Sequence, residues 1–305
     1  ADSSAAAVGA LPDMVTFTPD GRYLLVANEG EPNDDYTVDP EGSVSIIDLA
    51  LGLADLTVAT ADFHAFDATN LDPAVRIFGP GASVAQDLEP EFIAVSPNSR
   101  VAWVSCQENN ALAVVNIADA KVVDVLPLGL KDHGLLGNAL DPSNRDDAIA
   151  IANWPVFGMY QPDAIAVVSV DGLPYVLTAN EGDARDYDGF SEEARIQDLI
   201  LDSAFAADLQ DEQNLGRLNS TTVGGDTDGD GDKDVLFAYG ARSMSVFGPQ
   251  GELVWDSGDL LEQLVASAFP DDFNSNNDEN GSFDARSDDK GPEPEGLTVG
   301  TIGDA

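Results

Sequence analysis

The sequence predicts an all-β protein, a β-propeller of four-stranded antiparallel blades with long, partly helical loop insertions. Three observations lead there. Four segments share a proline, an acid, any residue and then alternating apolar residues: Leu11–Phe17, Glu89–Val95, Gln161–Val167 and Glu293–Val299. Three of them are followed by a second strand ending in an acidic corner, at Ala27-Asn28-Glu29-Gly30, Cys106-Gln107-Glu108-Asn109 and Ala179-Asn180-Glu181-Gly182. A third alternating segment then completes each unit: Ser43–Asp48, Ala111–Ile117 and Ser243–Phe247. Short strands of this kind, separated by turns rich in Asn, Asp, Pro and Gly and recurring in units of about 40 residues, are the pattern of a propeller blade. A generic antiparallel sandwich accounts for the strands too, but not for the return of the same two acidic corners.

The second unit is the cleanest. It predicts strands at Glu91–Val95, Val101–Cys106, Ala111–Ile117 and Val122–Leu126. In the first unit, Thr18-Pro19-Asp20-Gly21-Arg22 is a hairpin turn, with Pro and Gly where a tight turn wants them. Residues 1–305 are therefore one partial propeller domain, with blades at about 11–60, 89–128 and 161–257 and the start of another at 292–305. Three blades and an opening strand do not close a ring. The expectation is a fragment of a larger propeller of about seven blades, the remaining blades coming from the rest of the chain or from another chain.

The units differ in their insertions. Glu31–Gly42 interrupts the first, and 183–234 interrupts the third. Within the longer one, Ser191–Leu215 predicts a helix, because Glu192 and Glu193 stand at its start and apolar residues approximate a 3.6 period. Asp259–Phe269 predicts a second short helix, and Leu128–Tyr160 a loop-rich connection. Trp103, Trp154 and Trp255 read as blade packing, and Cys106 as a small core residue.

Composition narrows the functions. The chain has 56 acidic and 13 basic residues, a formal net charge of −43. Such a surface repels phosphate backbones and anionic lipid, which argues against nucleic acid and membrane partners. No apolar run is long enough to span a bilayer, so no membrane insertion is expected. No signal peptide is visible, and Ala1–Ala10 reads as a mature N-terminus or as a chain begun mid-domain. Apolar residues make up 43% of the sequence, enough for a core rather than a disordered tail. One cysteine permits no internal disulfide, so packing or ions must stabilise the fold. Aspartate dominates the acids, which suits both Ca²⁺ loops and the hydrated surface of a halophile.

Two sets of acids are candidate cation ligands. The corner acids Glu29, Glu91, Glu181 and Glu295, with Asp13, Glu108 and Asp163, should converge at the mouth of the central channel, because both kinds of corner lie on one face of a blade. Crowded carboxylates need cations, basic side chains or raised pKa values; alternatively they are solvated acids that merely cap turns. The second set is Asp226-Thr227-Asp228-Gly229-Asp230-Gly231-Asp232-Lys233-Asp234. Its alternating carboxylates can turn onto one hard cation while the glycines permit the tight wrap. It lacks an EF-hand's Glu at position 12, where Phe237 stands, and a flexible acidic linker is the competing reading.

Other chemistry is thin. His64 and His133 lie in separate loops without zinc spacing and read as solvent-facing. No Gly-x-Ser-x-Gly elbow and no phosphate-cradling glycine loop is present. No catalytic residue is assigned; Arg185, Arg286 and Lys290 are the basic residues set among the acidic loops, and Arg286 and Lys290 are the catalytic candidates.

These residues resemble a known family. LPDMVTFTPDGRYLLVANEGEPNDDYTVDPEGSVSIIDL (Leu11–Leu49), LTANEGDARDY (Leu177–Tyr187), YGARSMSVF (Tyr239–Phe247) and SDDKGPEPEGLTVG (Ser287–Gly300) are similar to the choice-of-anchor I family of secreted, surface-anchored β-propellers. Metazoan mesenchyme-specific cell-surface glycoproteins are similar to it as well. The likeness implies a propeller and a secreted, extracellular or cell-surface location. The family is loosely similar to phytase-like and esterase-like propellers, some of which hold several Ca²⁺ ions on acidic loops at one channel mouth.

Two functions follow as expectations. One is a non-enzymatic, Ca²⁺-binding adhesion, assembly or ligand-binding module, with a surface polysaccharide, a protein or a phosphorylated ligand as partner. The other is a calcium-dependent phosphoesterase, in which Glu29, Glu91, Glu181 and Glu295 hold metal while Arg286 and Lys290 clamp phosphate.

Overall fold

Strand alternation decides which residues are shared between neighbouring sheets. The computed structural model describes residues 5–300. The first sheet is an antiparallel meander of β1 (Pro12–Phe17), β2 (Tyr23–Asn28), β3 (Ser43–Asp48) and β4 (Thr57–Asp62), hydrogen-bonded in chain order. After the short helix α1 (Val84–Asp87), a second meander follows: β5 (Pro90–Val95), β6 (Val101–Cys106), β7 (Ala111–Asn116) and β8 (Lys121–Pro127). Its middle strands are buried on both faces. Ile93, Val104 and Ala113 pair across β5–β6–β7 and pack on Leu25, Ala27, Val44 and Ile46 of the first sheet. Ala94, Trp103 and Leu112 point the other way, onto Ile165, Val176 and Phe247 of the third sheet. A one-residue slip in register would exchange the two faces, so both interfaces fix it.

Next come β9 (Leu130–Asp132) and β10 (Phe157–Met159), then β11 (Ile165–Val170) and β12 (Leu173–Asn180). The third meander is β11 and β12 with β18 (Ser243–Phe247) and β19 (Leu253–Asp256), again in chain order. β5 packs between β1 and β2 on one side and β11 on the other, so the first strands of the three meanders adjoin along one line. Three four-stranded meanders stacked through their faces, with their first strands innermost, are blades of a β-propeller.

The connection from β12 to β18 carries β13 (Asp186–Tyr187), β14 (Phe190–Ser191), β15 (Glu193–Arg195), β16 (Asn219–Thr221) and β17 (Phe237–Ala238). β15, β16, β17, β10 and β9 form a five-stranded mixed sheet with its own core of Leu140, Val156, Ile196, Leu209, Leu215, Leu218 and Leu236. The helix expected over Ser191–Leu215 is not there. Glu193–Arg195 pairs with Asn219–Thr221, and only a single 3₁₀ turn, Ile196–Asp198, follows. The apolar spacing that mimics a helix instead sends Ile196, Leu209 and Leu215 inward from separate turns. The second helix forms as α2 (Leu260–Ala268).

Three smaller expectations are corrected. Residues 292–300 form no strand, since they pair with no neighbouring strand among the described residues; 301–305 lie outside those residues. Trp255 is half exposed on the outermost strand β19 instead of packing between blades. His133 is buried, its Nδ1 2.6 Å from the Asn138 carbonyl, while His64 is the solvent-facing one. Cys106 is fully buried in the core.

Candidate functional site

The two acidic corners of each blade are built locally. At the end of β2, the Asn28 amide nitrogen donates to the Ser43 carbonyl (3.1 Å) and to Ser43 Oγ and Ser45 Oγ (3.2 and 3.0 Å). At the end of β12, Asn180 Nδ2 donates likewise to Ser243 Oγ (3.1 Å) and Ser245 Oγ (2.7 Å). The repeated Ala-Asn-Glu-Gly is thus a clamp: Asn locks onto a Ser-x-Ser of the third strand, and the next residue, Glu29 or Glu181, is turned to the rim. The Ser-x-Ser partners, at Ser43-Val44-Ser45 and Ser243-Met244-Ser245, were the signal in the sequence that would have revealed the clamp.

The rim acids influence one another across blades. Glu91 is pushed up to about 11 by burial and then by Glu108, Glu29, Asp163 and Asp183. Glu29 rises to about 8 through burial and through Glu31, Glu108, Asp13 and Asp183. Asp163 rises to about 6 through burial and through Glu181, Glu295 and Asp13. Glu108, 7% exposed, rises to about 7 from burial, with Asp183 next in weight. Seven corner acids, Asp13, Glu29, Glu91, Glu108, Asp163, Glu181 and Glu295, therefore lie within electrostatic reach of one rim. Glu295 is its outlier, on an exposed irregular segment.

Basic residues meet this rim but are already engaged. Lys290 Nζ is 2.8 Å from Glu181 Oε1. Arg286 binds Glu293 and lies 2.9 Å from Asp289 Oδ2. Arg185 is buried, its guanidinium paired with Asp87 and, at 2.9 Å, with Glu89 Oε2. Arg185 (4.5 Å to the ring centroid) and Arg76 (4.2 Å) both lie over the Phe78 ring. Arg76 in turn pairs with Glu192 at 2.5 Å. The amide nitrogen of Gln107, oriented to satisfy its neighbours, donates to both Glu91 oxygens at 3.0 and 3.1 Å. Among the described residues, Glu29, Glu91, Glu108 and Asp163 form no ion pair. Asp87, the last residue of α1, and Glu89 and Glu192, each just before a strand, belong to this neighbourhood, and no local pattern in the sequence announces their arginine partners.

The insertions meet over the same face. Tyr187 donates to Glu31 Oε1 at 3.1 Å, and Tyr36 packs edge-on against Tyr187 and Phe190. Gly189 donates to the Asp34 carbonyl at 2.8 Å, and a Cβ there would stand 2.5 Å from Asp35.

The Asp-rich loop is a separate centre. Ligand-capable oxygens of Asp226, Asp228 and Asp234 lie within 4.8 Å of one another, as do those of Asp202, Asp232 and Asp234. Gly229 and Gly231 take φ of +82° and +99°, the left-handed turns that let the loop wrap. Asp226 accepts from the amides of Gly229 (2.7 Å) and Gly231 (3.0 Å), and Asp234 from Thr227 N and Oγ1 (both 2.6 Å). Asp202 comes from a distant turn, joined by the Leu201–Lys233 bridge, and was not legible. Asp230 belongs to neither oxygen triplet. Carboxylate oxygens alone, in a loop of this shape, fit a hard cation such as Ca²⁺.

The choice-of-anchor I domain profile matches residues 3–305. The mesenchyme-specific cell surface glycoprotein of Strongylocentrotus purpuratus is 28% identical over 76% of this chain and 33% of its own length. Gigasin-3a of Magallana gigas is 37% identical over 31% of this chain and 35% of its own. The chain thus spans about a third of the length of these curated relatives. A solved β-propeller domain from Myceliophteria thermophila is similar at 10% identity and a TM-score of 0.26, over 80% of this chain and 72% of that one. The blades are defined by their strand order, β1-β2-β3-β4, β5-β6-β7-β8 and β11-β12-β18-β19. With the profile running from residue 3 to 305, this chain belongs to the choice-of-anchor I family.

Proposed function

We propose that the chain is a non-enzymatic, Ca²⁺-binding module at the cell surface or in the extracellular space, serving adhesion, assembly or ligand binding. The observation that carries this reading is the charge balance of the rim. Arg185, Arg286 and Lys290 are each tied to carboxylates, while Glu29, Glu91, Glu108 and Asp163 have no ion pair among the described residues. A phosphate clamp needs free basic groups. This rim instead presents crowded carboxyl groups with no basic partner, which a cation would let ionise. Glu29, Glu91, Glu181 and Glu295 are proposed ligands there, and Asp226, Asp228, Asp230, Asp232 and Asp234, with Asp202, in the loop. A Ca²⁺ ion would neutralise the crowded oxygens and stabilise the native state by mass action.

The surface location rests on family membership and on the likeness to a cell surface glycoprotein. A surface polysaccharide, a protein or a phosphorylated ligand is the proposed partner class, and further blades are proposed to come from the rest of the chain or from another chain. The test is phosphate release from p-nitrophenyl phosphate and from phytate, with Ca²⁺ and with chelator, beside calorimetric Ca²⁺ titration. The proposal expects Ca²⁺ binding without turnover. Turnover lost in Glu91→Gln but kept in Asp230→Asn would establish the phosphoesterase instead.

A further inference from the structure

Nearly every fully buried carboxylate away from the rim has a visible compensation. Asp87 has Arg185 and the amides of Phe78 and Gly79. Glu192 has Arg76, Glu262 has Arg242, and Asp288 has Arg195 and Arg217. Asp141 accepts from the amides of Ala150 (2.6 Å) and Ser143 (3.4 Å). Asp284 differs. It is 3% exposed, its Oδ1 accepts only the Ser287 hydroxyl at 2.5 Å, and its Oδ2 has no partner among the described residues.

The same hydroxyl accepts from Asn274 Nδ2 at 2.9 Å, and the other end of that amide, Asn274 Oδ1, is also buried and unpartnered. Asn274 is likewise 3% exposed. Two side chains bonded to one serine hydroxyl therefore each carry a buried, unpartnered oxygen, and the Oγ of Ser275, next to Asn274 in the chain, is a third. The charges acting on Asp284 are the carboxylates of Asp141, Asp146 and Asp288, and together with burial they push it up to about 7. Arg286, two residues on, is committed to Glu293 and Asp289. A water molecule would satisfy the hydrogen bonds but not the buried negative charge.

We infer that Asn274 and Asp284 form a further hard-cation site, apart from the rim and from the 226–234 loop, that takes a divalent ion of the Ca²⁺ type through Asp284 Oδ2 and Asn274 Oδ1. The donors are a carboxylate, an amide oxygen and a hydroxyl. This all-oxygen set selects Ca²⁺ over the softer transition metals. The ion has a structural consequence. The loop it pins supplies Asp288 to Arg195 and Arg217, the carbonyls of Ser287 (2.7 Å) and Asp289 (2.9 Å) to Arg242, and Lys290 to Glu181. Binding here therefore sets the loop that closes one side of the rim.

The site stands independently of the loop reading, and the test separates the two. Ca²⁺ bound per chain is measured by equilibrium dialysis of the full, chelator-stripped chain, for the wild type, Asp284→Asn, Asn274→Ala and Asp234→Asn. Asp284→Asn is expected to bind one Ca²⁺ fewer, and to melt in chelator no lower than the wild type, because a buried neutral amide replaces a buried charge. Asn274→Ala is expected to weaken that site by about ten-fold or more, and covers the case in which Asp284→Asn fails to fold. Asp234→Asn keeps this ion. Ca²⁺ stoichiometry and affinity equal to wild type in both Asp284→Asn and Asn274→Ala overturn the proposal. Loss in Asp284→Asn with none in Asp234→Asn upholds it and overturns the loop site alone.

Discussion

Lys290 Nζ lies 2.8 Å from Glu181 Oε1, tying the loop after α2 to the acidic corner that ends β12. From the sequence, one residue reads as a phosphate clamp and the other as a metal ligand. In the structure each neutralises the other, and both side chains are largely buried. Lys290→Met strands a carboxylate in an already negative rim and should cost about 1–3 kcal/mol, with a smaller loss in Ca²⁺. Denaturant melts with and without Ca²⁺ measure it. Burial disfavours the ammonium, but Asp183 and Glu181 more than offset this and hold its pKa above the usual lysine range. The lysine's share of this stability is thus present below its unfolded pKa near 10 and is lost as alkali titrates it.

Acid should stabilise the calcium-free protein. Asp163, Glu108 and Glu29 are raised to about 6, 7 and 8, so the native state binds more protons than the unfolded chain above their ordinary pKa values near 4. Their contribution is complete below that value and is lost as the pH rises to about 8. Urea melts in chelator at pH 5, 6.5 and 8 should show stability falling with pH. Saturating Ca²⁺ should flatten the trend, and high monovalent salt should partly do so by screening. Stability that rises with pH across this window would contradict the rim's electrostatics.

The asparagine clamps should differ in cost. Asn28→Ala removes three donated hydrogen bonds and leaves the Gly9 amide, which donates to Asn28 Oδ1 at 3.0 Å, without its acceptor. A loss of about 2–4 kcal/mol is expected. Asn180→Ala should cost about 1–2 kcal/mol. Its Oδ1 is already unpartnered, and Ser243 and Ser245 keep their bonds to Asp256 Oδ2 at 2.7 and 2.6 Å. Equilibrium unfolding of both variants gives the order.

Within the Asp-rich loop, Asp234 belongs to both oxygen triplets and Asp230 to neither. Asp234→Asn should therefore weaken Ca²⁺ binding by about ten-fold or more, and Asp230→Asn distinctly less. Calorimetric titration distinguishes them, and equal effects would point to a different ligand set.

Much of the blade structure was readable because its signals are local. The second blade was expected as strands at 91–95, 101–106, 111–117 and 122–126, and the observed strands are Pro90–Val95, Val101–Cys106, Ala111–Asn116 and Lys121–Pro127. Period-two apolar residues between Pro, Asn and Gly turns leave little freedom there. The 183–234 insertion departs from the expected helix because its strands are two or three residues long, too short to show a period, and Glu193–Arg195 finds its partner more than twenty residues on. The gathering of corner acids followed from blade topology. The engagement of Lys290 and Arg286 did not, since ion-pair choice depends on loop paths that no local pattern encodes. Asp202 joined the Asp-rich loop through a single bridge, and Glu89 and Asp87 found Arg185 across about a hundred residues of chain.

Calcium-edge anomalous scattering from crystals grown in Ca²⁺ tests the cation-held rim most directly. The account predicts anomalous peaks within bonding distance of the rim carboxylates around Glu29, Glu91 and Glu108, and in the 226–234 loop. A map with no peak at the rim, from protein whose melting temperature is unchanged by chelator at fixed ionic strength, would contradict it.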